Sequence, residues 1–166
     1  MSERRIIVDG TTLRYEGIFN FNELYLLIEN WVRQKGYDQN ELKNFEQMLK
    51  DGRDIEIEMY PYKKTTDYHK LIIKIVIIAK KMKDVVLKKD GIDVKMNDGQ
   101  LQIKFTGYLV TDYDNKWEGK PLYWFLRLLF DKFIYRAETT RQTRIITDEI
   151  DSLYNYLRSY LNMARK

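Results

Sequence analysis

His69 is the single histidine of the chain, and it would be a natural general base if it faced a pocket. A metal site or a serine-type triad built on it lacks the other parts, because no Gly-x-Ser-x-Gly or His-x-x-x-His spacing occurs. The sequence has no cysteine, which excludes disulfides, thiolate catalysis and cysteine-ligated metals. We therefore favour a structural or surface role for His69 over catalysis, and expect no metal and no cofactor.

Glu56 and Glu58 are the one conspicuous carboxylate pair. They lie two residues apart on a predicted strand, so they share a face. Acid–base catalysis would need one of them in a dry pocket with a raised pKa. The apolar Ile55 and Ile57 alternate with them, which indicates that the glutamates face solvent. The pattern thus favours a solvated edge over an acid–base pair and predicts no catalytic residue.

The tripeptide Thr-Asp-Tyr occurs twice, at Thr66-Asp67-Tyr68 and at Thr111-Asp112-Tyr113. The first precedes a long predicted strand and the second ends the last strand, so both should lie at one end of the sheet. Such a cluster would bind a polar head group or a cation. We name Asp67, Tyr68, His69, Asp112 and Tyr113 as candidates for the polar mouth of a cavity. The competing and favoured interpretation is ordinary strand-end chemistry, in which Asp and Thr are common.

An aromatic set is the strongest candidate for contact with a ligand. Its members are Trp117, Tyr123, Trp124, Phe125, Phe130 and Phe133, with Tyr108 added from the last strand. These residues would fill the core, line a cavity that is apolar with a few polar groups, or form an exposed interface. Core filling and cavity lining are the two leading interpretations.

Helical signals dominate the first third of the chain. Asn20 is a good cap, and Leu24, Ile28 and Trp31 follow at helical spacing up to Gly36. A second cap at Asp38, with Leu42, Phe45 and Leu49 on one face, predicts another helix ending at Gly52. Ahead of this helix pair, Asp9-Gly10 divides two strand-like runs and predicts an opening strand or a small hairpin.

From Asp54 to Asp112 the apolar period changes to two, which predicts an antiparallel meander. Turns are expected at Lys88-Lys89-Asp90-Gly91 and at Asn97-Asp98-Gly99. The run Tyr68–Ala79 is apolar on both faces apart from Lys74, so we expect a central strand covered on both sides.

The last part of the chain is helical. The segment after Pro121 is apolar nearly all round and must be covered on most sides. A stripe follows in which Ile146, Ile150, Leu153, Leu157 and Tyr160 recur at steps of four and three, too short to establish a coiled coil. We expect residues 143–166 either to project from a single domain spanning 1–166 or to fold back over it.

The order of these elements resembles that of the helix-grip fold of START and Bet v 1-like (SRPBCC, polyketide-cyclase-like) proteins. The segments that carry the resemblance are Ile6-Ile7-Val8, the helix pair from Asn20 to Lys50, the meander Asp54–Asp112 and the helical region after Pro121. The resemblance implies a curved sheet that grips a helix, with an apolar cavity that in many members holds a lipid. Two departures are the missing glycine-rich loop and the second C-terminal helical segment.

Composition and charge limit the classes of partner that the protein is expected to bind. The chain has 166 residues, a net charge of +4 and a sequence pI near 9.0, with both signs interspersed. Interspersed charge argues against a nucleic-acid footprint, and no apolar run is long enough to span a bilayer. A local excess at Lys80, Lys81, Lys83, Lys88 and Lys89 suits phosphate or an anionic membrane, although protection of a strand edge is favoured. A cytoplasmic location is the default expectation.

Together these observations predict an α+β, helix-grip-like domain with an antiparallel curved sheet. The expected function is non-catalytic binding of a hydrophobic or amphipathic small molecule, such as a lipid, between the sheet and the C-terminal helix. The alternative is a protein-interaction module that oligomerises, or binds a partner, through Ile146, Ile150, Leu153 and Leu157. An enzyme that uses His69 or an Asp–Tyr pair ranks third.

Overall fold

The computed structural model describes residues 3–113, 129 and 135–164. It is an α+β structure with an antiparallel open sheet, as the sequence predicts, and its strand order is β1-β5-β4-β3-β2. The elements in chain order are β1 (Glu3–Phe19), α1 (Phe21–Gln34), β2 (Asp38–Leu49), β3 (Gly52–Lys64), β4 (His69–Lys89), β5 (Ile92–Thr111) and α2 (Tyr135–Ala164).

The first predicted helix forms and the second does not. The Asn20 side chain caps α1 by accepting a hydrogen bond from the Glu23 backbone N–H at 3.1 Å. The prediction of a helix pair is wrong, because residues 38–49 form β2 and pair antiparallel with β3. The apolar spacing in this segment has no core to face, since Phe45 is 60% exposed and Leu49 is 47% exposed. The two-residue connection Lys50-Asp51 instead returns the chain as a hairpin.

Two of the three predicted turns lie inside continuous strands. Gly10, with φ +69°, lies at a register shift inside the continuous strand β1, so of the two predicted alternatives the opening strand forms and the small hairpin does not. Residues 97–99 lie inside β5, opposite a register shift in β4 between Lys80 and Lys83. Only Asp90-Gly91, with φ +52° and +80°, closes a hairpin as predicted. At Gly10 the positive φ that is typical of a turn instead accommodates a bulge.

The core lies on one face of the sheet, here called the inner face. Alternate residues of β4, among them Leu71, Ile73, Ile75 and Ile77, are fully buried there beneath α1 and α2. A Cβ at Gly107 would lie 2.8 Å from Ile150 Cδ1, so α2 packs closely on β5. Burying each Leu or Ile side chain stabilises the fold by about 2 kcal/mol relative to exposure.

The predicted apolar stripe of the last helix belongs to this core. Ile146, Ile150, Leu153 and Leu157 are each 0% exposed, and they pack against the chain's own sheet. Residues 143–164 therefore fold back over the sheet as part of α2. Oligomerisation through these four side chains would require the core to open, so this alternative finds no support in the fold.

The opposite face of the sheet, here called the outer face, is only half-buried. On β4 it carries Ile72, Lys74, Val76 and Ile78, all of intermediate exposure. The expectation that Tyr68–Ala79 is covered on both sides therefore holds for the inner face alone. Among the helices of the described residues, none combines the length and apolarity needed to cross a membrane.

Candidate functional site at the end of the sheet

Buried polar side chains gather where β4 begins, β5 ends and α2 starts. His69, Asp112 and Gln142 are 1%, 1% and 3% exposed. His69 pairs with Thr111 across the sheet, and its Nε2 atom lies 3.4 Å from Thr139 Oγ1 on α2. We call this group the end cluster; its members are Thr66, His69, Asp112, Glu138, Thr139 and Gln142.

The two Thr-Asp-Tyr tripeptides meet at this end of the sheet, as the sequence predicts. The Asp112 backbone N–H donates to the Tyr68 carbonyl at 2.8 Å, and the Tyr113 hydroxyl donates to the Thr66 carbonyl at 3.1 Å. Asp112 holds φ +50°, a left-handed conformation that Asp tolerates better than most residues. Asp67 is exposed at the surface, whereas Tyr68 is buried and meets the His69 ring edge-on at 5.1 Å.

Hydrogen bonds around Thr66 determine the tautomer of His69. Thr66 Oγ1 accepts from the backbone N–H groups of Tyr68 at 3.2 Å and His69 at 2.9 Å. Its own O–H is therefore the group that donates to His69 Nδ1, 3.1 Å away. Nδ1 is then the acceptor of the neutral imidazole, and Nε2 carries the proton and donates toward Thr139. A proton on Nδ1 would point at the Thr66 hydroxyl oxygen, which already accepts two backbone hydrogen bonds.

The electrostatic environment agrees with a neutral ring. Burial lowers the pKa of His69 below its usual value of 6.5, and the nearby Glu138 carboxylate only partly offsets this effect. His69 is thus an uncharged ring at neutral pH, held between β4 and α2. This arrangement suits a positioning role more than proton transfer.

On α2, the Gln142 side chain brings a buried hydrogen-bond acceptor into the end cluster. Its Nε2 donates to Glu138 Oε1 at 2.6 Å, but its buried Oε1 has no hydrogen-bond partner within the described part of the chain. A buried carbonyl oxygen without a donor costs about 1–3 kcal/mol. The site therefore fits a ligand, or a water, that supplies an N–H or O–H group.

Among the described residues, an acidic side chain adjoins the buried groups of the cluster. Glu138 has a side chain that is 31% exposed, and its only described cationic neighbour, Arg141, lies 3.7 Å away and is 72% exposed. A neutral or cationic donor therefore suits the site better than an anion does.

Sequence patterns could not reveal the part of the cluster contributed by α2. Glu138, Thr139 and Gln142 carry no motif, and their role depends on where α2 crosses the sheet. The one available signal is polar residues in the first turns of a helix whose later turns bury an apolar stripe.

Most of the predicted aromatic lining falls outside the part of the chain that the structure describes. Trp117, Tyr123, Trp124, Phe125, Phe130 and Phe133 lie outside the described residues. Tyr108 lies on the outer face, away from α2, with the Arg4 guanidinium 3.7 Å above its ring. It therefore does not join the end cluster.

In the carboxylate pair on β3, Glu58 lacks the raised pKa that a general acid would need. Glu58 is hydrogen-bonded by Lys74, 2.5 Å away, and by the Tyr60 hydroxyl, and these contacts lower its pKa. Its carboxylate is therefore ionised at neutral pH. Within residues 3–113, 129 and 135–164, no group of three or more His, Asp or Glu side chains is arranged to hold a metal ion.

Comparison with known proteins identifies no relative: no protein-family model matches the chain, and neither does any curated protein. The chemistry of the end cluster is therefore the guide to function.

Proposed function

We propose that this protein is a non-catalytic binding protein for a small amphipathic molecule whose polar end donates a hydrogen bond to the end cluster. The observation that carries the proposal is Gln142 Oε1, a buried acceptor that has no hydrogen-bond partner among the described residues, on a side chain only 3% exposed. A protein keeps such a group at a cost to stability, and ligand sites are where that cost is commonly found.

The surroundings of the cluster support an amphipathic ligand. Leu71 and Leu109 pair across the sheet two residues from His69 and Thr111, and both are buried. Ile146 lies one turn beyond Gln142 on α2 and is 0% exposed. Polar acceptors thus adjoin an apolar layer, and a molecule with a donor at one end would meet both.

Packing along α2 favours the beginning of the helix as the place for the ligand. From Ile150 to Leu161 the inner side chains are 0–1% exposed and contact the sheet or α1. The residues that α2 contributes to the end cluster, Glu138, Thr139 and Gln142, lie before this segment. The ligand site is therefore assigned to the N-terminal turns of α2 and not to a cavity along its whole length.

His69 provides a direct test, because one histidine gives one set of imidazole NMR signals. Octanol, octylamine and octanoate would be titrated into ¹⁵N,¹³C-labelled protein while the His69 ring signals are followed. We expect saturable shifts with octanol and octylamine and weaker effects with octanoate, because only the first two donate a hydrogen bond and avoid charge repulsion.

Gln142→Met tests the role of the acceptor, because methionine keeps the length of the side chain and removes the amide oxygen. The variant should lose the saturable response to octanol and octylamine. Equal shifts with all three compounds, or unchanged titrations in Gln142→Met, would contradict the proposal.

A further inference from the structure

Strands β4 and β5 extend beyond their neighbours and form a two-stranded arm. Pairing of β3 with β4 reaches only Met82, and pairing of β1 with β5 reaches only Asn97. The β4–β5 ladder continues to Lys89↔Ile92 and closes at Asp90-Gly91. Arg53 and Asn97 hold the base of the arm through Asp84 Oδ1, at 3.1 and 2.9 Å.

The register shift between Lys80 and Lys83 determines which side chains face outward on the arm. Lys83 pairs with Asp98, as Lys80 pairs with Gln100, so all four lie on the outer face. Alternation then places Val85, Leu87 and Lys89 of β4 on that face, opposite Met96, Val94 and Ile92 of β5. The other face carries Asp84, Val86, Lys88, Asp93, Lys95 and Asn97. The arm is therefore amphipathic, and its outer face is aliphatic.

This aliphatic surface is open to solvent. Leu87 is 39% exposed and Ile92 is 67% exposed, close to the tip of the arm. A two-stranded hairpin by itself is only marginally stable in water. An exposed aliphatic surface on such a hairpin points to a binding partner.

Positive charge follows the same face along both central strands. The outward-facing lysines of β4 and β5 are Lys70, Lys74, Lys80, Lys83, Lys89 and Lys104, whereas Asp98 is the one outward-facing carboxylate of these two strands. The whole chain has a net charge of only +4, so this strip holds a disproportionate share of it. On the neighbouring strand β3, Glu58 pairs with Lys74, and the exposed Glu56, opposite Ile78, also faces outward. Pairing of β3 with β4 ends at Met82, so β3 adds no carboxylate along the arm.

We propose that the outer face of the arm docks on the surface of an anionic phospholipid bilayer. Aliphatic side chains would enter the boundary between head groups and acyl chains, while Lys83 and Lys89 bind the anionic head groups. The arm is separate from the end cluster, so this inference does not rest on the proposed function.

A single-stranded nucleic acid fits the same face less well. Base stacking needs open aromatic rings. The half-buried tyrosines of this face already have their own cations over their rings, with Lys70 Nζ 4.3 Å from the Tyr62 ring centre and Lys74 Nζ 5.5 Å from that of Tyr60. The arm itself offers aliphatic side chains and no aromatic ring.

Vesicle co-sedimentation tests the proposal. The full-length protein would be mixed with phosphatidylcholine vesicles, either pure or containing about one third phosphatidylglycerol, at low and high salt. We expect binding to the anionic vesicles, weakening as salt screens the lysines, and little binding to the neutral ones. A labelled oligonucleotide serves as the competing partner.

The two faces of the arm provide matched variants. Lys89→Gln should weaken vesicle binding roughly fivefold and Ile92→Ser roughly tenfold. Lys88→Gln and Val86→Ser, on the other face of the same arm, should change it less than about twofold. Val86 is 60% exposed, so its substitution is as well tolerated as that of Ile92.

Three results would overturn the proposal. One is the absence of binding to anionic vesicles; another is equal loss from both faces of the arm. The third is tighter binding to the oligonucleotide than to vesicles, which would assign the face to nucleic acid.

Discussion

Replacing Gln142 by methionine should stabilise the ligand-free protein while it removes ligand binding. The substitution removes the buried Oε1, for which residues 3–113, 129 and 135–164 supply no donor, and this gain is worth about 2 kcal/mol. It also removes the Nε2–Glu138 hydrogen bond, at a cost of about 1 kcal/mol, because the Glu138 side chain is 31% exposed and can turn to water. The net expectation is a gain of about 1 kcal/mol in the free energy of unfolding.

Urea denaturation of protein purified under denaturing conditions and refolded measures this gain without a bound ligand. Asn155→Met, an exposed site on the same helix, controls for helix propensity and should change stability by less than about 0.5 kcal/mol. A Gln142→Met variant that is less stable than wild type by about 1 kcal/mol or more would refute the reasoning. Such a loss would mean that Oε1 is satisfied in the ligand-free protein.

Three further predictions concern stability. Because the pKa of His69 is lowered in the folded protein, its contribution is complete above its unfolded value, taken as 6.5, and is lost as the pH falls below it. Urea unfolding from about pH 7 to about pH 5 should therefore show a steeper loss for wild type than for His69→Gln, and equal slopes would contradict this. Gly107→Val should lower stability by about 1–3 kcal/mol in thermal unfolding, because its Cβ meets Ile150 Cδ1 at 2.8 Å; no change would show that α2 is loosely packed. Glu149→Ala should cost about 2 kcal/mol in urea, because Glu149 accepts from the buried Tyr37 hydroxyl at 2.5 Å and Lys63 Nζ at 2.8 Å, and a loss smaller than about 0.5 kcal/mol would contradict this.

Local signals predicted the fold where they also matched the tertiary environment. Asn20 and the apolar spacing of α1 agree with the core they face, so this helix forms as expected. The spacing of Leu42, Phe45 and Leu49 is equally helical, but the segment pairs with the edge of β3, and the Phe45 and Leu49 side chains stay exposed. Sequence period alone does not contain that information.

The two Asp-Gly dipeptides also show that local sequence does not determine the local structure. Asp-Gly at residues 90–91 and at 9–10 has the same local chemistry, yet one closes a hairpin and the other makes a bulge inside β1. Which result occurs depends on the partner strand. The bulge at Lys80–Lys83 then reverses the alternation of β4, and only this reversal places Lys83, Val85 and Leu87 on the outer face.

The sequence predicted the part of the end cluster that lies on the sheet and not the part that lies on α2. Strand order alone brings the two Thr-Asp-Tyr segments together, because one begins β4 and the other ends β5. Gln142 and Thr139 could not be predicted, since they reach His69 only through the crossing position of α2.

Native mass spectrometry of freshly purified protein tests the central claim most directly, with wild type and Gln142→Met prepared in parallel. The claim predicts that wild type carries a small molecule with an alcohol, amide or amine group and that the variant carries much less of it. The same bound mass in both proteins, or none in either, would contradict the assignment of the end cluster as a ligand site.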